Sequence, residues 1–368
     1  MSAQDLARNL GLKALRRLQS AHKPLVRAMR RQAREREHAG FRADADAALR
    51  DLAALARGHG PIIAGPWLAE VGYEVLYWIP FLRWFCDAHG VRRERLVAFS
   101  RGGMDALYAD VAGTYVDIFD LLSPADLAAC NAERRERREG GGQKQSSIDA
   151  VDEQLLAAAR THIGLDGAAV CHPSIFFRLF RHVWHGNLPL DFLWTHTRYV
   201  RQTLDAPLPG GAPTGAFVAV KLYAGPALST TPASRAAVRE VAAQASLVSP
   251  LVLLETDLGI DEHRDFDLGG LSGVTSAAPL MTPRTNLGVQ LGLISRSQAF
   301  LGTCGGLAWV APFLGVPTVA VCDDDEALAL HLFVARHAGR SVGAAEFSLL
   351  DLRAVARAAM INTKIPNA

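Results

Sequence analysis

Hydrophobic and polar positions along the chain follow two periods. Short apolar runs bounded by glycine, proline or charge read as buried strands, and longer stretches with apolar residues three or four apart read as helices. Ile62–Ile63 starts a short strand, and Gly65–Pro66 turns the chain. Val71–Phe85 reads as an aromatic-rich buried helix, Leu96–Ser100 and Val116–Phe119 as strands, and Asp149–Thr161 as a helix. Val170–Ser174 is a strand end followed by proline in a first helical turn. Further on come a strand at Phe217–Leu222, a helix at Ser234–Gln244 and a strand at Leu251–Leu254. Thr285–Ser297 (helix), Ala299–Leu301 (strand), Leu307–Leu314 (helix) and Thr318–Val321 (strand) complete the pattern.

Strands alternating with helices predict parallel, doubly wound sheets. Residues 205–215 (DAPLPGGAPTG) are the clearest linker. At roughly 150 residues per domain, 368 residues suit two domains. The expected division is an arm at 1–58, an α/β domain at 59–204, the linker, and a second α/β domain at 216–368. Residues 131–148 are polar, charged and glycine-rich, and read as a loop or insertion. Ser297–Cys322 has no charge and is long enough to span a bilayer, but its glycines and prolines divide it into strand, helix and strand.

Composition excludes disorder: 49% of residues are hydrophobic and the net charge is only +2. That total conceals an asymmetry. Residues 1–38 hold ten Lys/Arg against three acids, a net +7, while the other 29 basic and 34 acidic residues leave the remainder at −5. The segment looks helical, interrupted by Pro24, with a loose stripe of Leu6, Leu10, Leu15 and Leu18. It reads either as a solvated helix or as an interfacial helix on an anionic membrane. Nucleic acid is not expected, because no aromatic interleaving accompanies the charge. Five scattered cysteines without a CxxC pair, and no signal peptide, suit a reduced cytoplasmic protein. No His/Cys cluster has zinc spacing, and Asp323–Asp325 reads as acids at a helix start.

Candidate chemistry concentrates at strand ends. In FLGTCGGLAWVAPFLGVPTVAV (300–321) a buried strand ends in the turn Thr303, Cys304, Gly305, Gly306, which opens a helix. Such a turn suits phosphate oxygens, with Thr303 capping the helix or bonding phosphate; a ligand-free βα turn is the alternative. In GPWLAEVGYE (65–74), Glu70 and Glu74 lie four apart near a helix start. Either would serve as a base with a pKa raised by aromatic surroundings, or would merely complement the helix dipole. Trp67 and Tyr73 are candidate acceptor contacts or core. Lys221 and Arg101 follow strands, where a cation faces a ligand crevice or forms a salt bridge. His172 is a candidate acceptor contact or alternative base, or a structural histidine beside proline, and Glu255 and Asp257 suit ribose hydroxyls or cap a loop.

The block at 300–321 resembles the donor-side motif of glycosyltransferases of the GT-B fold, and is distantly similar to heptosyltransferase-like and fucosyltransferase-like families. GPWLAEVGYEVLYWIPFLRW (65–84) looks like the amino-terminal block of a bacterial family of that kind; SRGG (100–103), HPS (172–174) and VAVKLY (218–223) follow in order. The resemblance covers most of residues 61–325. It implies two Rossmann-like domains facing a cleft and a metal-independent transferase with no cofactor beyond its nucleotide-sugar donor. It implies that Glu70 or Glu74 activates the acceptor hydroxyl. Lys221 and the 303–306 turn would stabilise the departing diphosphate. A glycan or lipid-linked acceptor fits surface polysaccharide or glycolipid synthesis at the inner face of the membrane, with hinge closure near 205–215. A nucleotide-sugar epimerase, a nicotinamide-dependent dehydrogenase and a non-catalytic binding protein are the alternatives. The dehydrogenase is disfavoured because the first βα turn lacks GxGxxG.

Overall fold

The computed structural model describes residues 39–136, 145–204, 207–256, 258, 264–324 and 326–354. The first sheet contains β1 (Ile62–Ala64), β2 (Leu96–Ser100), β3 (Thr114–Asp117) and β4 (Ala169–Cys171), in the order β3-β2-β1-β4. The later strands are β5 (Val218–Lys221), β6 (Tyr223–Ala224), β7 (Leu251–Leu253), β8 (Arg264–Asp265), β9 (Val274–Ser276), β10 (Ala299–Thr303), β11 (Thr318–Cys322) and β12 (Phe347–Asp351). Six of them form a second sheet, β12-β11-β10-β5-β7-β9, while β6 and β8 pair as a short antiparallel ribbon.

Every pairing within the two larger sheets is parallel. In each sheet the chain starts centrally, steps two strands to one side, and then returns to the other flank of its starting strand. This is the Rossmann order, complete in the second sheet and shortened in the first. The reversal falls between β1 and β4 in the first sheet, and between β5 and β10 in the second. Those are the points where an open α/β sheet leaves a crevice beyond its strand ends.

Local signals set the helix starts. Pro173 and Pro232 stand in first turns, where a missing N–H costs nothing, and His172 Nδ1 and Thr231 Oγ1 accept the backbone N–H of Ser174 and Ser234. Asp149 and Asp152 form a reciprocal capping box. Apolar side chains of both units, from Trp67, Trp78 and Phe176 to Phe300, Trp309 and Val310, merge into one buried cluster. The two sheets therefore share a core where they meet.

Several expectations change. Residues 39–57 are helical and bury Ala45, Ala48 and Leu52 completely, and Asp44 pairs with Arg181 and His182. This end of the expected arm packs on the first unit; residues 1–38 lie outside the described residues. Residues 131–136 continue the helix Pro124–Glu136 rather than forming a loop. Gln145, within the expected insertion, is buried, accepting from Leu68 N at 2.8 Å and donating to Pro66 O at 2.6 Å. The strand expected at Val116–Phe119 begins at Thr114 and stops at Asp117, whose side chain accepts from Phe119 N and starts a turn. Ser297–Cys322 holds β10, a helix at Gly306–Val310 and β11; among the described residues no helix is long and apolar enough to cross a membrane.

Candidate functional site

The two reversal points meet. The loop after β1 leads into a helix that starts at Val71–Tyr73, passes through a π turn at Glu74–Trp78 and continues as Ile79–His89. Its first turn lies against the first turn of Gly306–Val310. A Cβ on Gly72 would stand 2.9 Å from Gly306 N and 2.9 Å from the Trp309 ring. The seam therefore requires a glycine at position 72, while Gly306 is required by its φ of +41° and the Tyr223 hydroxyl of its own unit. A second contact supports the first: Gly288 N donates to Gly102 O at 2.9 Å, and Arg284 pairs with Asp120.

On the second unit, Thr303 Oγ1 accepts from Tyr223 N and donates to Tyr223 O, both at 2.8 Å. It ties the end of β10 to the start of β6 rather than capping the helix, whose N-cap is Gly305. Cys304 is buried, its N–H bonded to Val321 O. The Tyr223 hydroxyl overlies the turn, 2.9 Å from where a Cβ on Gly306 would be. Lys221 Nζ lies 2.8 Å from Asp265 Oδ2, the ion pair that was the alternative to ligand binding. Glu255 is half-buried just beyond β7, and Asp257 falls outside the described residues. Asp323 is held by Ser229 and Ser234 hydroxyls, which gives the first acid of the triplet a structural duty; Asp325 lies outside the described residues.

On the first unit the two glutamates part company. Glu70 is half-buried at the N-cap of the seam helix, and its carboxylate makes no capping bond. Glu74 is fully buried, its Oε1 accepting from Ser100 Oγ at 2.5 Å and Tyr108 Oη at 2.6 Å, while Oε2 has no hydrogen-bond partner. Burial outweighs those bonds and the Arg101 charge, and pushes the Glu74 pKa up to about 7. Arg101 is itself buried and reaches toward Ala69 O. Trp67 is wholly buried, stacked between Trp78 and Phe177, and belongs to the core.

His172 is turned into its own unit. Nδ1 caps the following helix and Nε2 lies 3.3 Å from Asp152, which also pairs with Arg134. Only Nδ1 is hydrogen-bonded; Nε2 faces Asp152 in a buried network that includes Asp149 and Gln145.

Tyr73 reaches across the seam to a residue that no motif announced. Its hydroxyl lies 2.8 Å from His331 Nε2, and the Tyr77 hydroxyl lies 2.6 Å from His331 Nδ1. His331 belongs to the helix Ala329–Ser341 of the second unit. Burial lowers its pKa to about 4, so the ring is neutral; burial and the nearby Glu70 charge raise Tyr73 to about 12. The Tyr73/Tyr77 spacing of four places both hydroxyls on one helix face. That spacing is a signal for a shared partner, although it does not identify His331. Among the described residues, no group of three or more His, Cys, Asp or Glu side chains is placed to hold a metal ion.

The seam thus sets the Val71–Tyr73 turn, which follows Glu70, against Gly306 and Trp309 and brings Tyr73 to His331, while Lys221 at the end of β5 is held by Asp265 and Trp67, Glu74 and His172 are buried within the first unit. No protein-family model and no curated protein matches the chain. Solved structures similar to it include TibC from enterotoxigenic E. coli H10407, an iron-containing dodecameric glycosyltransferase (13% identity, TM-score 0.38, covering 71% of this chain and 59% of TibC). Others are the E. coli heptosyltransferase WaaC with ADP (13%, 0.40, 83% and 100%) and the glycosyltransferase SnogD from Streptomyces nogalater (16%, 0.37, 80% and 86%). The chain spans about three fifths of the length of TibC.

Proposed function

We propose that this chain is a glycosyltransferase that moves a sugar from a nucleoside-diphosphate sugar to a hydroxyl acceptor. The observation that carries this reading is the contact of the two reversal points at Gly72 and Gly306. One sheet alone offers one crevice. Two sheets joined at their crevices offer two neighbouring crevices, which suits transfer between two substrates. The donor belongs to the second unit, where the complete Rossmann order and the glycine turn suit a nucleotide.

In this reading Glu70 is the base. It is half-buried at the N-cap of the seam helix, whereas Glu74 is fully buried. The acceptor hydroxyl gives its proton to Glu70, its oxygen attacks the anomeric carbon, and the bond to the diphosphate breaks. Lys221, at the carboxyl end of β5, supplies the cation for the charge that develops on the leaving group. Lys221 shares its charge with Asp265, which fixes the ammonium but weakens its field at the phosphates. The acceptor as a surface polysaccharide or glycolipid, and attachment to an anionic membrane through residues 1–38, extend the proposal from the sequence resemblance and the charge of that segment.

Thermal-shift screening against nucleoside diphosphates and their sugars tests it. A ligand at 100 times its dissociation constant adds about 2.7 kcal/mol of stability. One nucleotide family should raise the melting temperature clearly; no response to any of them contradicts the reading. A nucleotide sugar altered without an acceptor would identify an epimerase instead.

A further inference from the structure

We propose that Tyr73 offers its hydroxyl proton to an uncharged oxygen of the acceptor sugar, and that His331 fixes this role by engaging the Tyr73 oxygen from the opposite side. The inference rests on the seam being the acceptor site, and adds the residue that contacts the acceptor and the chemistry that it recognises.

A neutral imidazole has one N–H and one bare nitrogen. Since a tyrosine hydroxyl meets each nitrogen of His331, one hydroxyl donates to the ring and the other accepts from it. Tyr77 is fully buried, so its proton needs an acceptor inside the wall, and Nδ1 is present at 2.6 Å. The Trp184 indole N–H also bears on the Tyr77 oxygen, although it falls short of hydrogen-bonding geometry. Tyr77 therefore donates to Nδ1. The imidazole proton sits on Nε2 and is donated to the Tyr73 oxygen. The Tyr73 proton is not used by the ring, and the residue is only half-buried, beside Gly72 at the seam.

The neighbourhood selects what that proton meets. Glu70 stands one helical turn earlier, and its charge acts on Tyr73. A carboxylate there repels a phosphate but leaves a hydroxyl or ring oxygen unopposed. A sugar oxygen bonded by Tyr73 would hold the acceptor against Glu70.

Two measurements on the full chain test this. Long-range ¹H–¹⁵N correlation of labelled histidine should show His331 as the Nε2–H tautomer; the Nδ1–H tautomer overturns the assignment whatever the chain's activity. Transfer from the nucleotide sugar that stabilises the chain is then measured with a panel of methyl glycosides. Tyr73→Phe should raise the KM for the glycoside about three- to tenfold, the effect of one neutral hydrogen bond. It should leave the melting shift induced by the donor in place, which a merely structural role would not. Tyr77→Phe should instead lower the melting temperature. An unchanged KM in Tyr73→Phe, or a chain that binds nucleotide sugar but uses no methyl glycoside, overturns this inference alone. Absence of nucleotide-sugar binding overturns the reading beneath it.

Discussion

Gly72 of the first unit and Gly306 of the second approach so closely that their separation leaves no room for a methyl group. Gly72→Ala should therefore destabilise the protein by about 1–3 kcal/mol, the usual cost of overpacking. Gly60 is the control, since nothing lies within 4 Å of a Cβ there; Gly60→Ala should stay within about 0.5 kcal/mol. Urea denaturation of both variants checks the contrast.

Glu74 should govern part of the pH dependence of stability. Its folded pKa, raised to about 7 by burial, exceeds its ordinary value of 4.5. The native state thus holds the proton longer than the unfolded state. The contribution is fully present below pH 4.5 and is lost as pH rises through about 7, by roughly 3 kcal/mol. Glu74→Gln retains an oxygen for Ser100 and Tyr108 and should flatten this slope. Denaturation at pH 5 and pH 8 measures it.

Asp152 has the opposite sign. Burial alone would raise its pKa, but His172 and Arg134 outweigh burial and lower it. Its stabilisation is present above the ordinary value of 3.8 and is lost as pH falls through the folded value. Asp152→Asn leaves the buried Arg134 with Asp149 alone and should cost about 3–5 kcal/mol. Because Gln145 bonds Asp152, Pro66 and Leu68, proteolysis around residues 65–70 should quicken as well.

Glu70→Gln tests the proposed base separately from the fold. Loss of a general base costs about 10²- to 10⁴-fold in rate. Transfer should fall by that amount while the melting temperature and nucleotide binding hold. Full transfer activity in the variant would remove Glu70 from the mechanism.

The sheets were legible because their strands are short apolar runs with glycine or proline at their ends: Leu96–Ser100 was read to the residue, and the 300–321 block resolved into strand, helix and strand. The helix Ala329–Ser341 was missed, since a single histidine in an ordinary amphipathic stretch carries no motif. His331 matters only through Tyr73 and Tyr77, about 250 residues away. The split between Glu70 and Glu74 was equally hidden. Four residues apart, they look alike until the π turn and the Ser100–Tyr108 pair enclose one of them.

Hydrogen–deuterium exchange of the full chain, with and without the nucleoside diphosphate that stabilises it most, tests the joint site most directly. Exchange should slow in residues 65–73 and 303–310 together if the proposed ligand site lies where the two strand-end crevices meet. Protection confined to one unit, or to segments away from the Gly72–Gly306 seam, would contradict the account.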